Sequence, residues 1–249
     1  YGPAVVALTG IAHLSGWPDR GPSPPSGAYA DYISPRFGAA AIIAALDYRR
    51  RTGKGTYIEQ AQSESTVHFM APPVMDYAVN GRVANRNGNR LPYAAPHGAF
   101  PCQGDDEWCA ITVFNDTEWH ALCQAMGKPS LASDPRFATF VARKKNEDEL
   151  ESVLAEWTSQ RPHHEVMETL QKAGVPASVV NSMRDLYETD LQLKHRKHFR
   201  TLDHPEIGKH RVAAPAFILS KTPADIRRSP IIGEHTEQVY RDILGMTDD

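Results

Sequence analysis

The feature that most constrains the fold is a run dominated by small apolar residues at positions 35–46, which leaves no continuous polar face. Ser34-Pro35 opens it with a capping hydroxyl followed by a proline, and this pair predicts that a helix starts there. The arginines at 49–51 and Gly53 suit the negative end and the left-handed exit of that helix. A helix of this kind has to be buried on several sides, so other layers of the fold must cover it.

The composition is that of a globular protein. The chain has 249 residues, of which 41% are hydrophobic and 23% charged, and no apolar run exceeds about ten residues. The net charge of -3 provides no basic field for a nucleic acid backbone. Three cysteines are too few for a disulfide framework and favour a reducing compartment. We therefore expect a cytoplasmic protein that binds neither nucleic acid nor membrane.

The chain begins Tyr1-Gly2-Pro3, without a methionine or a secretory signal, so we expect it to be part of a longer protein. A loop rich in Gly, Pro and Ser at 16–27 precedes the apolar helix. A second polar stretch, at 80–90, carries four Asn and two Gly and predicts a domain boundary.

Periodicity predicts the remaining secondary structure. Asn115 and Glu118 have the spacing of a helix N-cap pair, and three amphipathic helices follow between 119 and 173. The other predicted elements are a strand at 56–59, a helical stretch at 64–79 that contains Pro72-Pro73, strands at 98–102, 108–113, 177–180 and 209–214, a charged helix up to 193 and a final helix at 234–244.

The histidines near 195 and the carboxylate at 31 are candidate sites on chemistry alone. His195 and His198 lie near further Asp and His side chains, but the segment has no thiolate and resembles a basic helix end, so we predict no metal site. Asp31 lies in the segment 26–35, where Ser34-Pro35 already supplies a helix start. Its carboxylate is therefore either a further charge at the helix N-terminus or a nucleophile.

A set of short motifs carries a family resemblance. They are Tyr1-Gly2-Pro3, Leu8-Thr9-Gly10, Ser15-Gly16-Trp17-Pro18-Asp19, Ala45-Leu46, 49–55, Gln62-Ser63-Glu64 and Ile232-Gly233-Glu234-His235-Thr236. With them the chain resembles the family III CoA-transferases, the CaiB/BaiF family, from end to end. The resemblance implies an α/β fold that combines the remainder of a Rossmann-like large domain with a small α+β domain, in an interlocked homodimer. The expected division is 1–90 large domain, 91–185 small domain and 186–249 return to the large domain.

The resemblance also implies the chemistry. Asp31 is expected to attack an acyl-CoA thioester, and coenzyme A then passes through an aspartyl-CoA thioester to a carboxylic acid acceptor. Coenzyme A is a substrate in this reaction, and no permanently bound cofactor is expected. Tyr93, His97 and Gly98 are expected to belong to a loop that guards the site, which here carries a single glycine. Tyr1 and Gln62 are expected to contact coenzyme A.

Two alternatives remain open. The same fold includes 2-methylacyl-CoA racemases, which pair the aspartate with an upstream histidine. In this sequence that position falls on Tyr1, a weak base at neutral pH, and the nearest histidine is His13. The other alternative is a non-catalytic fragment or accessory subunit, because the family's N-terminal half is not part of the chain. The sequence leaves the acyl group and the acceptor acid undetermined.

Overall fold

The structure, a computed structural model, describes residues 2–25 and 27–247. It is a mixed α/β fold that divides into two compact units, Tyr1–Val179 and Val180–Asp249. Within the described residues, no helix is both long enough and apolar enough to cross a bilayer.

The first unit begins with a layer of five helices. They are α1 (Gly2–Leu8), α2 (Ile11–Leu14), α3 (Tyr29–Thr52), α4 (Gln62–Val67) and α5 (Ala71–Asn80). A small core forms where Val6 and Ile11 meet Ala12 and Ala30, with Met70 packed against it. The proline pair in the predicted helical stretch lies at the start of α5, where the missing backbone N–H groups need no helical partner.

The predicted start of the apolar helix at Ser34 is wrong. Helix α3 begins at Tyr29 and continues through Pro35. Burial of Ala30 and Ile33 draws the preceding residues into the helix, so packing outweighs the local start signal. The Ser34 carbonyl, near the proline, accepts a hydrogen bond from Gln60 Nε2 at 2.8 Å.

One other expectation for this layer also fails. Residues 54–61 form no strand, and the predicted strand at 56–59 is wrong. Helix α3 is covered on only part of its surface within this chain, since Ile42, Ile43 and Leu46 are 54%, 68% and 44% exposed, so its burial on several sides stays a prediction. The described chain supplies cover mainly for its first turns, which lie against α1 and α4.

The rest of the first unit has its own sheet and core. Strands β1 (His97–Pro101), β2 (Trp108–Thr112) and β3 (Ala177–Val179) form an antiparallel sheet in that order. His97 pairs with Thr112 at one end of β1–β2, and Cys109 pairs with Val179 across β2–β3. The helices are α6 (Asp116–Ala125), α7 (Phe140–Lys145), α8 (Glu147–Thr158) and α9 (His163–Lys172).

The predicted cap and apolar stripes in this part are confirmed. Asn115 accepts the Glu118 backbone N–H at 2.9 Å and starts α6. Trp119, Leu122 and Leu154 are fully buried in one cluster with residues of the sheet. This cluster and the helical core lie on either side of residue 90, and the predicted domain limits at 90 and 185 stay a prediction.

The second unit contains α10 (Met183–Glu188), α11 (Leu191–His195), and the hairpin of β4 (Phe199–His204) with β5 (Gly208–Ala213). The sequence predicted β5 but missed its partner β4. The predicted final helix is a π-helix over Gln238–Ile243.

Candidate active site

Asp31 lies in the first turn of α3, and its side chain is exposed. Its backbone N–H donates to the Ala28 carbonyl oxygen at 2.9 Å, which fixes the start of the turn. Negative charge is favoured at this end of a helix because the first N–H groups and the helix dipole are positive there. The fold therefore presents an anionic carboxylate at an accessible helix start.

Gln62 holds one oxygen of this carboxylate. It is the first residue of α4, and its side-chain Nε2 donates a hydrogen bond to Asp31 Oδ1. The Gln62 backbone carbonyl in turn accepts the Thr66 hydroxyl at 2.8 Å. The packing of α4 on α3 thus places Gln62, a site residue predicted from the sequence, next to Asp31, the predicted nucleophile.

Gly2 lies against the same carboxylate. A Cβ atom at position 2 would be 2.6 Å from Asp31 Oδ2 and 2.7 Å from both Cγ and Oδ1, closer than real Cβ contacts come. Only glycine fits there without displacing Asp31. The sequence offered Gly2 only as part of a motif, and no local signal showed that the motif would touch Asp31.

The other predicted site residues lie elsewhere or outside the described residues. His97 and Gly98 line a groove of about 310 Å³ with Trp17 and Arg90, and Asp31 is not part of its lining. Tyr93 is 61% exposed. Tyr1 lies outside the described residues. The structure therefore brings Gln62 to Asp31 and places His97 and Gly98 in a groove that Asp31 does not line.

The segment 91–98 is tied to its surroundings at both ends. Lys144 Nζ donates to the Leu91 carbonyl at 2.9 Å, and Arg143 Nε donates to the Ala95 carbonyl at 2.9 Å. The Ala95 N–H donates to the Val113 carbonyl at 3.1 Å. Ala94 and Ala95 are buried, so Tyr93 forms the exposed tip of an anchored loop.

Arg90 is a charged residue in the lining of the groove, and no sequence pattern singles it out. Its guanidinium donates to both carboxylate oxygens of Glu151, at 2.8 Å and 2.6 Å, and to Asp148. The hydrogen bonds to Glu151 are the main cause that raises the pKa of Arg90. The side chain is held by carboxylates of α8, and its charge is compensated inside the protein.

Across residues 2–25 and 27–247, no three His, Cys, Asp or Glu side chains are grouped so that they could hold a metal ion. His195 ends α11, and the His198 ring packs edge-on against Phe199 at 5.0 Å.

The sequence matches the profile of CoA-transferase family III over residues 1–236. The chain belongs to CoA-transferase family III. This confirms the family resemblance and the α/β fold expected from it.

Similar family III proteins agree with this assignment. The chain is 30% identical over its whole length to succinyl-CoA:D-citramalate CoA-transferase of Chloroflexus aurantiacus. Over 98% of its length it is 33% identical to the beta subunit of succinyl-CoA:L-malate CoA-transferase of the same organism. A CaiB/BaiF family protein from Brucella suis superposes on 97% of the chain with a TM-score of 0.86 and 30% identity. The chain spans 62%, 60% and 62% of these three family III proteins.

Proposed function

We propose that the protein transfers coenzyme A from an acyl-CoA donor to a carboxylic acid acceptor, with Asp31 as the nucleophile. The observation that carries the proposal is the Asp31 carboxylate, which is accessible at the start of α3 while Gln62 and Gly2 fix its position. Membership of CoA-transferase family III supports the same reaction.

The reaction needs one carboxylate and balances without a proton donor. One Asp31 oxygen attacks the thioester carbonyl carbon, the carbon–sulfur bond breaks, and coenzyme A leaves as a thiolate with a mixed anhydride left on Asp31. The thiolate then attacks Cγ of Asp31, and the donor acid departs with the bridging oxygen. The acceptor carboxylate attacks the resulting aspartyl-CoA thioester, and the same steps in reverse produce the new acyl-CoA and free Asp31.

The substrates proposed are a CoA thioester donor and a small dicarboxylic acid acceptor. Two similar proteins are named for succinyl-CoA as donor and for D-citramalate or L-malate as acceptor. Tyr1, Tyr93, His97 and Gly98 are proposed substrate contacts on the strength of the family resemblance. Coenzyme A enters and leaves as substrate in every turnover.

The partner proposed is a second copy of the protein, in an interlocked homodimer. The exposed apolar side chains of α3 and α5, such as Ile43 and Val79, support it because an apolar surface of this kind calls for cover. Family members build this kind of cover by threading two chains together.

A cytoplasmic location is proposed from the cysteines. Cys102, Cys109 and Cys123 are free and buried in the same unit. Free thiols are the ordinary state in a reducing compartment.

The test replaces the nucleophile in the full-length protein. Asp31→Ala is expected to abolish transfer from succinyl-CoA to dicarboxylic acids while the circular dichroism spectrum stays native, because buried Ala30 and Ile33 hold the start of α3. Intact mass after incubation with a panel of acyl-CoAs, together with hydroxylamine trapping, is expected to place the label on residue 31. Transfer by the Asp31→Ala variant, or a label elsewhere, would contradict the proposal.

The racemase alternative has its own test. His13, the histidine closest to Asp31 in sequence, pairs its Nε2 with Asn85 Oδ1 at 3.0 Å. We expect no exchange of the C2 proton of a 2-methylacyl-CoA in deuterium oxide. Deuterium incorporation at a rate comparable with transfer would favour the racemase, and neither activity in the intact protein would favour an accessory subunit.

A further inference from the structure

The two oxygens of the Asp31 carboxylate have different surroundings. Oδ1 accepts a hydrogen bond from the Gln62 side-chain amide. An ionised carboxylate can only accept, so the amide must present its NH2 group to Asp31. Within residues 2–25 and 27–247 no side chain donates a hydrogen bond to Oδ2, which is therefore the oxygen with the freer lone pairs.

Gly2 adds a second constraint. A Cβ atom added to Gly2 would lie at nearly equal distances from three atoms of Asp31. It would be 2.7 Å from Oδ1, 2.7 Å from Cγ and 2.6 Å from Oδ2. Such near-equal distances would place this Cβ over one face of the carboxylate group, where the backbone at Gly2 leaves no room for a further atom, so a reagent has to approach Cγ from the other face. The Asp31 carboxylate is therefore held by the hydrogen bond from Gln62 and by the close approach of Gly2.

We propose that Gln62 is a catalytic residue that acts on Oδ1 of Asp31, a role separate from the coenzyme A contact expected from sequence. This inference rests on the proposed CoA transfer. The Gln62 amide leaves Oδ2 to attack the donor thioester. When the thiolate or the acceptor carboxylate later attacks Cγ, negative charge develops on Oδ1, and the same N–H group is already in place to stabilise it.

The bonds made and broken in each step assign different roles to the two carboxylate oxygens of Asp31. Oδ2 becomes the bridging oxygen of the anhydride and leaves with the donor acid when the thiolate attacks Cγ. Oδ1 stays on Cγ throughout and becomes the carbonyl oxygen of the aspartyl-CoA thioester. A donor fixed on Oδ1 therefore serves both the formation and the breakdown of this intermediate.

A matched control lies two residues away. Gln60 Nε2 donates to the Ser34 carbonyl at 2.8 Å and to the Ser65 hydroxyl at 2.9 Å. Gln60 thus ties the same segment to α3 without contacting Asp31. Loss of Gln60 tests what anchoring alone contributes, and loss of Gln62 tests the hydrogen bond to Oδ1.

The experiment compares Gln62→Ala with Gln60→Ala in the full-length protein. Gln62→Ala is expected to lower kcat by about 10²- to 10³-fold, the effect of one lost oxyanion donor, with little change in KM for the acyl-CoA. Gln60→Ala is expected to keep kcat within about threefold of wild type, because no reacting atom loses a partner. Intact mass of the Gln62→Ala variant should show less aspartyl-CoA relative to the acyl anhydride.

Gln62→Glu keeps the shape and gives a readout that a structural role would not move. Its carboxylate would repel Asp31 at high pH, and once protonated it can donate to Oδ1. Its activity relative to wild type is therefore expected to rise as the pH is lowered.

The outcomes separate the proposed role of Gln62 from the proposed CoA transfer. Equal kcat losses in Gln62→Ala and Gln60→Ala, or a raised KM with unchanged kcat in Gln62→Ala, would overturn the role of Gln62 while leaving CoA transfer intact. A flat relative pH profile for Gln62→Glu would also count against it. Absence of wild-type transfer or of any label on Asp31 would overturn the proposed function itself, and the inference with it.

Discussion

Trp119, Leu122 and Leu154 are 0% exposed in the part of the first unit that contains the sheet, whereas Ile42 and Ile43 of α3 are 54% and 68% exposed. Both regions are rich in apolar residues, so apolar content does not explain the difference. In the sheet region α6, α8 and α9 each have one apolar stripe, which packs in one core with residues of β1 and β2. Helix α3 is apolar on most sides, and α1 and α4 lie against only part of it.

The difference matters for function because Asp31 belongs to the less covered region. The proposed mixed anhydride on Asp31 would hydrolyse readily in water, yet the Asp31 side chain is exposed in this chain. Bound acyl-CoA and the proposed second copy are the partners that would provide the cover. The sheet region, by contrast, completes its core with its own side chains.

Thiol reactivity should separate the two regions by the widest margin. Burial raises the pKa of Cys109 and of Cys123 to about 12, which lowers their thiolate fraction at pH 8 by about 10³-fold relative to an exposed thiol. In the 249-residue chain, a cysteine introduced by Ile43→Cys should react with iodoacetamide at least about 10³-fold faster than either, as measured by mass spectrometry. Labelling in urea, where all thiols should react, is the control.

Equal labelling rates in the native chain would show that the two regions are equally covered.

Truncation of apolar side chains should give the next largest contrast. Leu154→Ala removes a fully buried side chain and should lower the free energy of unfolding by about 2–5 kcal/mol. Ile43→Ala makes the same kind of change at an exposed position and should stay within about 0.5 kcal/mol. Urea titrations of the 249-residue chain measure both. Similar losses in the two variants would mean that α3 is packed as tightly as the sheet region.

Removal of a helix cap should have a smaller effect. Asn115→Ala deletes the side chain that accepts the Glu118 N–H and should cost about 1 kcal/mol of unfolding free energy. Asn85→Ala is the control beside the helical layer, since the hydrogen bonds of Asn85 with His13 and with the Val83 carbonyl are both exposed, and it should cost less than about 0.5 kcal/mol. Thermal unfolding compares the two variants. Equal losses of unfolding free energy would contradict the role of Asn115 as the cap that stabilises α6.

The smallest effect concerns a surface carboxylate. The side-chain hydrogen bonds from Arg136 lower the pKa of Asp134 to about 2 from its usual 3.8. Because the pKa in the folded state lies below that of the unfolded chain, this contribution to stability is present above about pH 4 and is lost as the pH falls towards 2.

Arg136→Gln should return the Asp134 titration towards its ordinary range, as followed by NMR. The matching carboxylate in the helical layer is Asp76. Its pKa is also lowered mainly by side-chain hydrogen bonds from an arginine, Arg82. An unchanged Asp134 titration in Arg136→Gln would contradict the assigned cause.

The sequence by itself determined the elements whose signals are local. The stripes of α6, α8 and α9, strands β1 and β2, and the Asn115 cap follow from side-chain spacing within about ten residues. The family came from a set of motifs spread along the whole chain, and these motifs also singled out Asp31. None of these inferences depends on which segments contact each other in the folded chain.

Only the tertiary structure decided what surrounds Asp31. Gln62 lies 31 positions from it in sequence, and Gly2 lies on a different helix, so no periodicity relates them to the carboxylate. The early start of α3 came from burial of Ala30, which outweighed the Ser34-Pro35 signal. Side-chain pattern is a local property, whereas the contacts that orient the Asp31 carboxylate arise from the packing of helices that are distant in sequence.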